Sequence, residues 1–363
     1  MTNLLKQLLD TRPWLLADGA TGTNLFAAGL QSGDAPEMWN IDPAQSEKVH
    51  DLNRSFVDAG SDIILTNTFG GNRYRLKLHN AQDRVEELNV AAARLARKAA
   101  DSVDRPVIVA GSMGPTGEIF EPIGPLSIDA GTKAFAEQAQ ALAAGGADVL
   151  WIETISSIEE LTAAITGAGT TGLPIVCTLS FDTNGRTMMG ITPGQIAALM
   201  QSMEPHPVGY GANCGTGAAE LVMAILHMRT AKGENDVLVA KSNCGIPQFK
   251  DGEIVYSGTP ELMADYAGLV FDAGARIIGG CCGTTPEHVR AMRQALEVHL
   301  PGPVPSVDLV TERLGKISAG AGQLDSGAPL GERQRERRRG RDRRRGSGPD
   351  ADGGANGDDT PRF

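Results

Sequence analysis

The sequence predicts a single (β/α)8 barrel of the TIM type, α/β in class, followed by a disordered C-terminal tail. Three observations predict it: eight short apolar runs recur before residue 300, amphipathic stretches separate them, and glycine repeatedly stands where a helix gives way to a strand. The runs are Leu15 to Asp18, Ile63 to Thr66, Val107 to Gly111, Val149 to Glu153, Ile175 to Leu179, Val208 to Asn213, Val237 to Ala240 and Arg276 to Gly279. Each is continuously apolar rather than alternating, which suits parallel strands covered on both faces. Ala81 to Ala100 and Lys133 to Ala144 repeat Ala, Leu and Val at helical spacing. Asp58-Ala59-Gly60, Ala144-Gly145-Gly146 and Asp272-Ala273-Gly274 place glycine at helix ends. A doubly wound open sheet competes, but it usually carries a G-x-G-x-x-G turn after its first strand, and Asp18 to Thr23 (DGATGT) does not match.

Composition bounds the rest. The chain has 363 residues, 41% hydrophobic and 21% charged, with no apolar run near the roughly 20 residues that span a bilayer. The start, Met1 to Lys6, lacks the pattern of a signal peptide, and five cysteines are too few and odd in number for a disulfide framework. The expectation is a soluble, cytoplasmic protein with no membrane partner, in a compartment where adjacent thiols act as ligands rather than bridges. A net charge of −11 argues against nucleic acid as a partner of the barrel. The barrel is assigned to residues 1–305. Residues 306–363 are assigned to a linker and tail, disordered from about Ser318, Arg-rich from Glu332 to Arg345 and Gly/Asp-rich beyond.

A barrel carries its chemistry at the C-terminal ends of its strands. Those ends hold four of the five cysteines: Cys214, Cys244, Cys281 and Cys282. Cys177 lies inside the fifth run and reads as a small buried hydrophobe. Gly279-Gly280-Cys281-Cys282-Gly283 lets the backbone turn so that both sulfurs face one point. A third sulfur from a neighbouring strand completes a set suited to Zn²⁺, with the fourth tetrahedral position open as in catalytic sites. From spacing alone either Cys214 or Cys244, in similar Asn-Cys-Gly surroundings, supplies it.

DGATGTNLF (18–26), TNTFGGNR (66–73), GSMGPTGE (111–118), WIET (151–154), GANCG (211–215) and GGCCGTTPEH (279–288) follow in this order. Together they resemble the zinc-dependent homocysteine S-methyltransferases over about Leu4 to Leu300. That family includes betaine-homocysteine methyltransferases, S-methylmethionine-using enzymes and the homocysteine-binding module of cobalamin-dependent methionine synthase. With APEMWN (35–40) and the extension to RYRLKLH (73–79), the pattern is most similar to the bacterial betaine-homocysteine methyltransferases. The resemblance implies zinc held by Cys214, Cys281 and Cys282, with the homocysteine thiol as fourth ligand and methionine as product. It matches Asp18 and Glu153 to the family's acidic positions, and Glu153 is read as the partner of the substrate ammonium. The turn Gly19-Ala20-Thr21-Gly22 is read as the carboxylate site through its backbone N–H groups. The blander readings are a capping role for Asp18 and a buried salt bridge for Glu153. Cys244 is held as a rim residue, with a fourth sulfur for the substrate-free metal as the alternative.

The donor is read as betaine. Trp39, Phe69, Tyr74 and Phe120 are the aromatic candidates for facing a quaternary ammonium. Gly70 and Thr154 stand where animal betaine enzymes carry tyrosine, so a pocket of the animal type is not expected. Two alternatives are enzymatic: use of S-methylmethionine, or the homocysteine half of a split methionine synthase methylated by a cobalamin-carrying partner. The third is a zinc- or thiol-binding protein whose Arg-rich tail binds an acidic partner. Homo-oligomerisation is left open by the sequence.

Overall fold

The computed structural model describes residues 3–250 and 253–322. The Arg-rich run and the Gly/Asp-rich end of the expected tail lie outside the described residues. The strands are β1 (Leu15–Leu16), β2 (Ile63–Leu65), β3 (Ile108–Met113), β4 (Val149–Ile155), β5 (Ile175–Leu179), β6 (Gly209–Cys214), β7 (Val237–Ser242), β8 (Pro247–Lys250), β9 (Glu253–Tyr256) and β10 (Ala275–Gly280). β8 and β9 form an antiparallel hairpin inserted after β7. The other eight pair in parallel in the order β1-β10-β7-β6-β5-β4-β3-β2, and a bridge between Ala17 and Ile63 joins the two ends. This is a (β/α)8 TIM barrel, and each of its strands falls on one of the predicted apolar runs.

The first strand is shorter than its run, for a chemical reason. At the β1–β2 seam two carboxylates replace ladder acceptors: Asp62 Oδ2 accepts from Leu16 N at 3.0 Å, and Asp18 Oδ2 accepts from Leu65 N at 2.7 Å. Backbone bonds from Asp62 N to Leu16 O (2.7 Å) and Asp18 N to Ile63 O (3.0 Å) complete the closure.

Alternation within each strand builds two cores. Inward side chains such as Leu15, Ile63, Ile108, Trp151, Val176 and Val239 fill the barrel, and helix Leu4–Thr11 closes its N-terminal end with Leu5, Leu8 and Leu9. Outward side chains, among them Ile64, Val109, Leu150 and Ile278, pack under the surrounding helices. Cys177 belongs to this outer layer, fully buried with Sγ 3.9 Å from Met200 Sδ, as expected of a small hydrophobe. Gly60, Gly146 and Gly274 have φ of 104°, 102° and 111°, so each helix-to-strand turn uses the left-handed conformation that glycine adopts without strain.

The packed body runs past the boundary at residue 305. Helix Val307–Leu314 buries Val310 and Leu314, and Ser318 N donates to Glu220 Oε1 at 2.6 Å. Apolar residues at i and i+4, with Ser306 as N-cap, give residues 306–314 a helical face that their polar composition disguises. No helix among the described residues is long and apolar enough to cross a membrane.

Candidate metal and substrate site

Cys214 is the last residue of β6, and Cys281 and Cys282 immediately follow β10. β7 lies between those strands, and its end residues hold both turns. Ser242 O accepts from Cys281 N at 2.6 Å, while Asn243 accepts from Cys282 N at 3.0 Å and donates to Gly215 O at 2.7 Å. Cys214 itself has φ +59°, and Gly283, which ends the Cys-Cys turn, has φ +78°. The sulfurs of Cys214, Cys281 and Cys282 therefore converge within 4.8 Å of one another.

A tetrahedral ion with bonds of about 2.3 Å to sulfur separates its ligands by about 3.8 Å, so three sulfurs at this spacing fit around one zinc after slight adjustment. Cys244 is not part of the cluster. It is fully buried, and burial pushes its thiol up to about 11. Its N–H donates to Cys282 O at 2.9 Å, so it supports the Cys-Cys turn through backbone.

Crowding perturbs the three thiols. Contact with Cys281 favours the Cys214 thiolate, but contact with Cys282 and burial prevail and raise it to about 11. Contact with Cys214 favours the Cys282 thiolate, but the neighbouring Cys281 and burial push it up to about 12. Cys281 is also raised, chiefly by its contact with Cys214. Three adjacent anions repel one another in a desolvated site, and a divalent cation reverses that preference.

The cluster opens into a cavity of about 390 Å³ lined also by Gly19 to Thr23, Glu153, Thr154 and Lys241. Glu153 is 8% exposed and accepts from Ser112 Oγ at 2.5 Å. Burial raises its pKa, opposed by the charge of Lys241. Thr154 adopts φ +62°, unfavourable for a β-branched residue, and is held there by Asn213 through bonds of 2.9 and 2.7 Å. The Asn213 amide also lies 3.9 Å from Cys281 Sγ, linking the β4 rim to the cluster.

Two readings of the substrate turn change. Asp18, 1% exposed, is not among the cavity-lining residues: one oxygen pairs with Lys241 Nζ at 2.5 Å and the other takes the Leu65 N–H. It neither caps the following turn nor faces the cavity, because both oxygens have buried partners. The Ala20 N–H donates to Thr284 O at 3.0 Å and is not free for a carboxylate. Gly19 allows that close approach, since a Cβ there would stand 2.5 Å from Thr284 O. Thr21 and Gly22 remain at the start of helix Gly22–Ala27, where the first N–H groups have no helical partner.

Lys241 was not singled out in the sequence, although a lysine closing the apolar run VLVAK is a usable signal. It is 2% exposed and lies 5.6 Å from the centre of the Trp151 ring. Burial alone would lower its pKa, but Asp18 and Glu153 outweigh burial and raise it. Of the aromatic candidates only Phe69 lines the cavity, joined by Phe26. Trp39 is buried with Leu25, Leu30 and Val49, Tyr74 packs against the outer core, and Phe120 is buried within it.

The family model for homocysteine S-methyltransferases matches residues 15–296, a span that includes all three clustered cysteines. The chain belongs to the homocysteine S-methyltransferase family. Among its curated relatives, methionine synthase of Mycobacterium tuberculosis is 32% identical over 319 residues, covering 82% of this chain and 26% of that protein. Methionine synthase of Mycobacterium leprae is 30% identical, with 84% and 26% covered. The chain thus spans about a quarter of the length of these relatives. The homocysteine methyltransferase MmuM from Escherichia coli, in its metallated form, superposes with a TM-score of 0.66 at 25% identity. That match covers 80% of this chain and 99% of MmuM.

Proposed function

We propose that this family member transfers a methyl group from betaine to the thiol of homocysteine, giving methionine and dimethylglycine, with zinc as its metal. The convergence of three cysteine sulfurs at the wall of this cavity carries the reading. Zinc held by Cys214, Cys281 and Cys282 would bind the substrate sulfur as a thiolate at neutral pH, where a free thiol is mostly protonated.

The protein's own groups do the rest. Glu153 supplies a negative charge for the ammonium of an amino acid, and the backbone N–H groups of Thr21 and Gly22 supply donors for its carboxylate. Lys241 sits between the carboxylates of Asp18 and Glu153 and keeps the floor of the cavity from accumulating negative charge. Ser112 holds Glu153 in place. In the reaction, sulfur donates a lone pair to the methyl carbon and nitrogen leaves with the electrons of the broken C–N bond, next to a cavity floor of buried side chains such as Glu153 and Lys241. An anion and a cation become two neutral centres, and exclusion of water favours that loss of charge.

The likeness to methionine synthases supports a second reading, in which a separate cobalamin protein supplies the methyl group. Zinc-loaded protein with homocysteine should be offered betaine, S-methylmethionine or methylcobalamin in turn. The proposal expects methionine and an equal amount of dimethylglycine from betaine without a partner protein. Methionine from S-methylmethionine or methylcobalamin alone would replace betaine as the donor.

A further inference from the structure

We infer that Glu37 and Arg75 form the donor-binding pair of the cavity, Glu37 receiving the onium cation and Arg75 the donor's carboxylate. The assignment rests on the methyl-transfer reading above and extends it to a part of the cavity that the metal and homocysteine do not explain.

Glu37 belongs to the 3-10 helix Pro36–Asn40 in the loop after β1 and is 4% exposed, yet it lines the same cavity as the three cysteines. One oxygen, Oε1, accepts the Gly70 N–H at 2.6 Å. Glu37's own backbone N–H also donates to the carboxylate, and no side chain among the described residues hydrogen-bonds or ion-pairs with it. A carboxylate this deep, facing a cavity and held by backbone N–H groups with no ion-pair contact, costs free energy that a bound cation offsets. Burial raises its pKa, opposed by its own N–H, the Gly70 N–H and the nearby charges of Arg75 and His79.

Gly70 is fitted to this carboxylate. A Cβ at that position would lie 2.9 Å from Glu37 Oε1, so a side chain at residue 70 and the present position of Glu37 exclude each other. The cation receptor here is therefore ionic, with the rings of Phe26 and Phe69 as its apolar walls. Arg75, on helix Arg73–Lys77, also lines the cavity, and its guanidinium makes no hydrogen bond or ion pair with any described residue. A cation and an anion that make no ion-pair contact, lining one cavity, complement a small zwitterion such as betaine.

The test uses full-length, zinc-loaded protein and two ligands of one shape, betaine and 3,3-dimethylbutyrate, in which a neutral carbon replaces the quaternary nitrogen. Wild type should prefer betaine, and Glu37→Gln should raise the KM for betaine by at least about thirtyfold, as expected for losing one partner of a desolvated charge pair. The same variant should bind 3,3-dimethylbutyrate as wild type does and keep its KM for homocysteine and its zinc content. Arg75→Met, which breaks no direct hydrogen bond or ion pair among the described residues, should weaken both carboxylate ligands alike. Equal discrimination between the two ligands in wild type and Glu37→Gln overturns the role of Glu37, and unchanged affinities in Arg75→Met overturn that of Arg75. If Glu37→Gln does not fold, loss of preference for betaine in Gly70→Ala supports the assignment and retained preference overturns it. Wild type that makes no methionine from betaine overturns the donor reading itself.

Discussion

A Cys281→Ser variant keeps its fold and loses methyl transfer to homocysteine by more than about a hundredfold, since even indirect partners of metal ligands are worth ten- to a hundredfold. The fold survives because the turn is held by backbone: Cys281 N donates to Ser242 O and Cys282 N to Asn243 Oδ1, and neither bond involves the sulfur. Serine retains the first of these. What it removes is one of three sulfurs gathered within 4.8 Å, leaving two soft ligands and a weak hydroxyl. Bound zinc per chain, measured by atomic emission after dialysis, should fall in parallel with activity. A Cys244→Ser variant should retain both, because Cys244 lies outside the cluster. Retention of stoichiometric zinc and full activity by Cys281→Ser would remove that residue from the site.

The second large effect concerns stability. Lys241→Met strips the partner from Asp18, a carboxylate that is 1% exposed at the seam where the barrel closes. Breaking a buried pair from one side leaves an uncompensated charge and costs about 3–5 kcal/mol, which corresponds to a fall in Tm on the order of 10 °C. The double variant Asp18→Asn, Lys241→Met should recover part of that loss, since the Asp18 charge is gone and its amide can still accept from Leu65 N, while Glu153 still lacks the lysine's charge. Thermal unfolding followed by circular dichroism separates the outcomes. A single variant as stable as wild type would show that Lys241 is not what keeps Asp18 tolerable.

The barrel was legible in the sequence because parallel strands covered on both faces must be apolar throughout, and the helix-to-strand turns must pass through a conformation that glycine favours. Gly60, Gly146 and Gly274, each at positive φ, show the second constraint at work. The cysteine cluster was legible because strand ends gather on one rim. Spacing left Cys214 and Cys244 equivalent, and only the three-dimensional order β10-β7-β6, with Asn243 bridging the outer two turns, separates them.

The electrostatics were less legible, since a charge's role depends on which partners reach it. Asp18 ends a strand at the active rim, yet Lys241, 223 residues away in sequence, and the Leu65 N–H take both its oxygens. Ala20 sits in the expected anion turn, but its N–H answers to Thr284. Glu37 is one acidic residue among 44 in the sequence, and only burial against Gly70 distinguishes it. Trp39 and Phe120 show the converse, aromatic residues whose loops suggested a cation site and whose rings are used for packing.

The most direct measurement is X-ray absorption at the zinc edge on the purified protein, before and after addition of homocysteine. One zinc per chain with three sulfur neighbours and one lighter atom, changing to four sulfurs when homocysteine binds, is the predicted result. A chain that holds no zinc, or a sulfur count that homocysteine leaves unchanged, would contradict the account.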